Sequence, residues 1–259
     1  RLDRMMRCNA GNSDSGNQQY RGDIAFVGSM YNEKHNLFDR LEGISDFTRG
    51  YLDSIMDAQR KVYGYFFLDK LLNGEVLKDM LKNCPVEPSS DGVETVQYLY
   101  ADYFLARKMA TDERMEIMER LGKDYGGRYN VNLYTPNPTP GLKGVRNLGA
   151  VDYYNAMPYI FHNTKINLNI TLRSIKSGIP LRGMDIMGAG GFLMSNYQED
   201  FLRHFIPGED YVYYESQDDL MDKCEYYLTH EDERQRIAKN GHDKVKEFHN
   251  YPLRLSQIL

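Results

Sequence analysis

Large apolar side chains drop out of one early stretch of this chain. Between Asn9 and Gln19, NAGNSDSGNQQ, no large apolar residue occurs, and then several arrive together in Asp23 to Met30, DIAFVGSM. A stretch of Gly, Ser and Asn has nothing to bury, so residues 1–22 are expected to be a flexible linker with the fold beginning at Asp23. The short apolar run closed by Gly28-Ser29 suits a buried parallel strand followed by a tight turn. From about Ser45 to Glu119 the period becomes helical. Phe47, Tyr51, Ile55, Ala58, Val62 and Tyr65 recur at spacings of three and four, as do Val96, Leu99 and Tyr103, which predicts aromatic packing between helices. CPVEPSSDG, Cys84 to Gly92, interrupts them with the composition of a loop.

After Gly126-Gly127 short strands alternate with short helices. YNVNLYT (Tyr129 to Thr135) reads as a strand running into the breaker Pro136-Asn137-Pro138, VRNLGAV leads into a helical DYYNAMPYIFHN, and KINLNIT is again a strand. A helical PLRGMDIM, a strand FLMS, a short helix around QEDFLRHF, a strand YVYYES and two closing helices follow. Ser216 with Asp219 resembles a capping box for the first closing helix, whose inner face is Leu220, Cys224, Tyr227 and Leu228. This alternation predicts an α/β fold: a Rossmann-like, mostly parallel sheet with helices on both faces, carrying a helical insertion after the first strand at about residues 36–124. Ligands of such sheets bind beyond the carboxyl ends of the strands.

Composition narrows the function. The net charge of −5 and pI near 5.7 argue against a protein that holds nucleic-acid backbone, so an anionic ligand must be bound locally. No run approaches the ~18–20 apolar residues of a membrane span, and no export signal opens the chain, so a cytoplasmic location is expected. Cys8, Cys84 and Cys224 form no CxxC pair, and His35 and His162 have no partner at ligand spacing. Free thiols and no bound metal are expected.

The most informative stretch is Lys165 to Ser195. A strand ends near Asn169, a loop supplies Arg173, Lys176 and Ser177, and Gly178 and Pro180 lead into a helix. The free amides of a helix's first turn attract phosphate, and Arg173, Lys176 and Arg182 could supply counter-charge to a diphosphate. Asp185, in the same helix, could accept hydrogen bonds from the two hydroxyls of a ribose. The plainer alternative makes the charges an exposed loop and Asp185 a helix-surface residue. Gly188-Ala189-Gly190-Gly191 is not a dinucleotide fingerprint, because it follows a helix and opens a strand; it reads as a helix stop and tight turn. Gly28-Ser29 is a weaker, correctly placed phosphate turn. No GxSxG elbow occurs, and no catalytic base is assigned.

Four blocks, DIAFVGSMYNE, VNLYTPNP, GAVDYYNAMPYIFHNTKINLNITLRSIKSGIPLRGMDIMGAGGFLMSNYQEDF and PGEDYVYYESQDDLMDKCEYYLTHEDERQRIAKNGHDKVKEFHNY, closely resemble the C-terminal part of CgeB-type spore-maturation proteins. The resemblance covers almost everything from Asp23 onward. It implies the donor-binding half of a GT-B glycosyltransferase that transfers sugar from a nucleotide diphosphate sugar, a UDP-sugar by preference, without metal or other cofactor. It also implies an N-terminal, acceptor-binding domain before Arg1. Asp185 matches the acidic residue that holds the donor ribose; where many retaining members have a second Glu, this sequence has Ser177. Gly28 and Ser29 match the loop near the diphosphate, and Gly149 to Tyr153 match the turn beside the nucleobase. The expected nucleotide-sugar contacts are therefore Gly28, Ser29, Thr135, Val151, Asp152, Asn169, Arg173, Lys176, Arg182 and Asp185. Sugar, acceptor and stereochemistry stay open, and the competing reading is a non-catalytic nucleotide-binding or scaffolding module that uses the helical insertion to bind a partner.

Overall fold

In a computed structural model that describes residues 20–33, 36–90 and 92–258, six short segments have become the strands of one sheet. They are β1 (Gly22–Val27), β2 (Val131–Tyr134), β3 (Val145–Asn147), β4 (Thr164–Asn169), β5 (Leu193–Asn196) and β6 (Val212–Tyr214). Every neighbouring pair is parallel, and the order across the sheet is β3-β2-β1-β4-β5-β6. Ile24 lies between Val131 and Ile166, and Phe26 between Leu133 and Leu168. This is the doubly wound order of Rossmann folds, in which the connections diverge to opposite sides between the first and fourth strands. The sequence reading of an α/β, Rossmann-like sheet is correct.

The described residues fall into two compact units. The first holds the sheet and comprises the residues up to Gly28, Ile117–Ile170 and those from Ser177 on. Because side chains alternate along a strand, Ala25 and Val27 face one helical layer, with α6 (Met157–Asn163), α7 (Leu181–Gly188) and α10 (Glu231–Phe248), while Ile24 and Phe26 face the other way. Ile160, Phe161, Ile186, Met187, Phe201 and Val245 complete the first layer's core. Between β5 and β6 lies the single-turn α8 (Glu199–Leu202), and after β6 comes α9 (Gln217–Thr229), whose buried face is Leu220, Met221, Cys224, Tyr227 and Leu228. Ser216 caps α9 by accepting from Asp219 N (3.0 Å), and the shorter Asp219 carboxylate reaches back to Glu215 N (3.0 Å), one residue outside the usual box.

The second unit, Ser29–Glu116 with Thr171–Lys176, contains no strand among its described residues. It is built from α1 (Asp46–Arg60), α2 (Leu68–Leu71), α3 (Gly74–Asn83), α4 (Val96–Leu99), a π-helical stretch (Tyr100–Leu105) and the start of α5 (Ala106–Tyr125). Leu52, Ile55, Met56, Leu68, Val76, Met80, Tyr100 and Phe104 form its core. The helical period is present, but the face differs from the sequence reading. Ser45 accepts from Thr48 N (3.2 Å) and starts α1 so that Thr48, Leu52, Ile55, Met56 and Gln59 turn inward. Phe47 is consequently 69% exposed, and Ala58, Val62 and Tyr65 are exposed as well.

Three boundaries also differ. VRN is an edge strand, β3, that the sequence did not separate from its surroundings. A third closing helix, α11 (Tyr251–Ile258), follows the two expected, with Asn250 accepting from Leu253 N (3.0 Å). Gly22, placed in the linker by sequence, already belongs to β1; residues 1–19, with Cys8, and His35 lie outside the described residues. No described helix is long and apolar enough to cross a membrane.

Candidate nucleotide-binding site

The carboxyl ends of β1 and β4 are neighbours at the point where the strand order reverses, which is where doubly wound sheets open a crevice for ligands. β1 is followed by Gly28, whose amide extends the ladder by donating to Tyr134 O (3.0 Å). β4 ends at Asn169, fully buried, whose Nδ2 donates to Ser195 Oγ (3.0 Å). Ser195 Oγ in turn donates to Asn196 O (3.0 Å). Arg182, from the first turn of α7, extends over this edge. Its guanidinium carbon stands 5.3 Å from the Phe26 ring centre, and its Nη1 lies 3.4 Å from Asn169 Oδ1. The guanidinium fills the space beside Gly28 that a β-carbon there would enter.

Asp185 lies one turn further along α7, on the same helix face as Arg182 because residues three apart are neighbours on a helix. Asp185 is only 7% exposed, so it is not a helix-surface residue. Tyr153 Oη donates to Asp185 Oδ2 at 2.8 Å. The helix begins after Pro180 and stops at the glycine run: Gly191 N donates to Ile186 O and Gly190 N to Met187 O, both at 2.9 Å, with Gly190 at φ +77°. These two bonds and the left-handed glycine form a Schellman stop, which agrees with the sequence reading of Gly188 to Gly191.

At the carboxyl ends of β2 and β3 an open groove of about 620 Å³ is lined by Thr135 to Pro140, Asn147, Gly149 and Ala150. Thr135, buried, spends its hydroxyl on its own loop, donating to Asn137 Oδ1 (3.0 Å) and accepting from Asn137 N (3.3 Å). Asn147 braces the opposite wall by donating to Asn137 O (2.9 Å) and accepting from Gly149 N (3.0 Å). Val151 is half-buried after it, and Asp152 is exposed, its carboxylate accepting from the amides of Tyr154 and Asn155. Asp152 therefore stabilises the turn that carries Tyr153.

The remaining expected contacts belong to the helical unit. Ser29 Oγ donates to Glu33 Oε1 (3.1 Å) and accepts from Tyr31 N (2.9 Å). Arg173 and Glu113 form an ion pair at 2.6 Å whose side chains are each 5% exposed, and the Arg173 guanidinium lies 3.4 Å from the Tyr63 ring centre. Lys176 pairs with Asp69 at 2.9 Å. Within the sheet unit the structure thus brings together Gly28, Asn169, Arg182 and Asp185 from the sequence-derived set, and it adds Tyr153. The sequence counted Tyr153 only as part of the turn Gly149 to Tyr153; the signal that could have marked it is the tyrosine pair Tyr153-Tyr154 after the turn-forming Asp152. Among the described residues no group of three or more His, Cys, Asp or Glu side chains is placed to hold a metal ion, and Cys84 and Cys224 are free thiols.

Residues 103–259 match the model of a family described as glycosyl transferase-like. The chain belongs to this glycosyl transferase-like family. Membership gives it a general role in sugar transfer. No curated protein matches the chain. The matched segment contains β2 to β6, Tyr153, Asn169 and the whole of α7, so Arg182 and Asp185 both lie in the matched domain. β1 with Gly28, and most of the helical unit, lie before it.

Proposed function

We propose that the Rossmann-like unit binds a nucleotide diphosphate sugar, a UDP-sugar, and serves as the donor-binding part of a GT-B glycosyltransferase of the CgeB spore-maturation type. The observation that carries this reading is the placement of Arg182 and Asp185 one turn apart on α7, beside the β1/β4 switch point. A guanidinium held against a glycine can pair bidentately with a diphosphate. A buried carboxylate one turn away suits the vicinal hydroxyls of the attached ribose, since it can accept from both. The groove between Thr135 and Ala150 would then take the base.

Calorimetric titration of UDP, GDP, ADP and uridine into the wild type and two variants tests the reading. UDP should bind most tightly. Asp185→Ala should weaken UDP and uridine alike by about 1.5–3 kcal/mol, the worth of hydrogen bonds to a charged acceptor. Arg182→Ala should weaken UDP and spare uridine, with a penalty that shrinks as salt screens the charge. No preference among nucleotides, with both variants indistinguishable from wild type, would transfer the assignment to a scaffolding module.

A further inference from the structure

We propose that Tyr153 is a specificity-determining, positioning residue: by holding the Asp185 carboxylate in one plane it makes the site select ribose over deoxyribose. The inference rests on the donor-nucleotide reading above and assigns a residue that the reading does not use.

Three observations converge on it. Tyr153 Oη donates to Asp185 Oδ2 at 2.8 Å, good geometry for a bond from a phenol to a carboxylate. Asp185 is buried, where a carboxylate's orientation is set by its hydrogen-bond partners more than by water. The turn that delivers Tyr153 is itself tied down: the Asp152 carboxylate accepts from the amides of Tyr154 and Asn155, and the Asp152 carbonyl accepts from those of Ala156 (3.1 Å) and Met157 (3.0 Å). The Tyr153 ring also meets the Tyr154 ring edge-on, centroids 5.1 Å apart at 87°. A rigid turn thus presents a neutral donor to a charged acceptor.

The chemistry of that pairing is specific. A phenol donates one hydrogen bond and brings no charge of its own. A vicinal diol gains two hydrogen bonds only when the carboxylate plane lines up with both oxygens, whereas a single hydroxyl can be followed by a rotating carboxylate. Orientation therefore rewards the second hydroxyl, the one deoxyribose lacks. A merely structural bond between the turn and α7 would support stability without altering the ratio of affinities for the two sugars.

UDP and 2′-deoxy-UDP titrated into the wild type, Tyr153→Phe and Asp185→Asn, with melting curves for each, decide the matter. The wild type should prefer UDP by about tenfold or more, as expected for loss of one hydrogen bond to a charged group. Tyr153→Phe should shrink the preference to within about twofold by lowering UDP affinity, with 2′-deoxy-UDP nearly unchanged. Retention of the wild-type ratio by Tyr153→Phe overturns the inference, whatever happens to stability. Should Tyr153→Phe fail to fold, Asp185→Asn, which keeps the volume, must collapse the same ratio, and a ratio preserved there overturns it equally. A wild type that binds UDP without preferring it over 2′-deoxy-UDP refutes this inference alone; one that binds neither nucleotide refutes the donor reading with it.

Discussion

Gly28 and Arg182 share one volume. A β-carbon at residue 28 would lie 2.6 Å from Arg182 Nη2 and 3.1 Å from its Cζ, closer than van der Waals contact allows. The end of the first strand is thus kept bare so that a cation from the helix after the fourth strand can lie across it, and the two halves of the doubly wound sheet meet in that contact.

Gly28→Ala should therefore act as an indirect mutation of Arg182. The side chain that must yield most is the far end of a flexible arginine, and the Phe26 ring, 3.2 Å away, need give only a few tenths of an ångström, so stability should change by less than about 1 kcal/mol. The displaced guanidinium loses its station over Phe26 and near Asn169. We expect UDP affinity to fall severalfold with uridine affinity unchanged, and we expect Gly28→Ala to add nothing in an Arg182→Ala background. Paired calorimetry of the single and double variants checks this; additive losses would mean that the glycine acts on the ligand by another route.

How much of this was legible in the sequence depended on whether the deciding contact was local. β1 carries the continuous apolar run Ile24 to Val27, β2 and β4 are short segments in which Val, Leu and Ile alternate with Asn or Lys between breakers, and the Schellman stop of α7 is written in consecutive glycines. β3 has one apolar residue in three and sits at the sheet edge, too short for any period. In α1 the spacing announced a helix, but not which face is inside. That was settled by Gln59, whose amide donates to Val62 O (3.2 Å) and Tyr65 O (2.9 Å) while its Oε1 accepts from Phe67 N (2.8 Å). A polar residue so fully satisfied can be buried while the aromatic Phe47 stays in water. Within the site, Asp185 could be named from its own helix, whereas the contacts of Arg182 with Gly28 and of Tyr153 with Asp185 join segments distant in sequence.

The glycine run after α7 offers a second test, of structure rather than binding. A β-carbon at Gly191 would lie 2.5 Å from the carbonyl oxygen of Phe161 and 2.8 Å from Asn167 Nδ2. The first is backbone of α6. The second belongs to a buried amide that already donates to Phe161 O at 2.9 Å. Neither can move cheaply, so Gly191→Ala should cost about 1–3 kcal/mol or more, read as a lower midpoint in urea at unchanged slope. Nucleotide affinity measured well below the transition should match wild type. Lost affinity at intact stability would instead indicate that the run touches ligand.

The last prediction concerns acid. His249 is stacked on Phe205 (centroids 4.9 Å apart, 24°) and meets His204 edge-on (5.3 Å). Its Nδ1 lies 2.8 Å from an Arg254 guanidinium nitrogen. A guanidinium can only donate, so Nδ1 must be the acceptor and the ring is neutral in the folded protein. Burial first, and then the neighbouring Arg254, His204 and Lys244, push its pKa down to about 4 from an ordinary value of 6.5. The unfolded chain, whose histidine titrates normally, binds the extra proton between those two values, so protonation there favours unfolding. The stabilisation from a neutral His249 is complete above about pH 6.5 and is lost as pH falls toward 4. Melting temperature should decline across that window, and His249→Gln, which cannot titrate, should flatten the part of the decline that this ring causes. Melting curves of the two proteins between pH 7 and pH 4 give the comparison; parallel curves would show that His249 is accessible enough in the folded state to titrate as it does when unfolded.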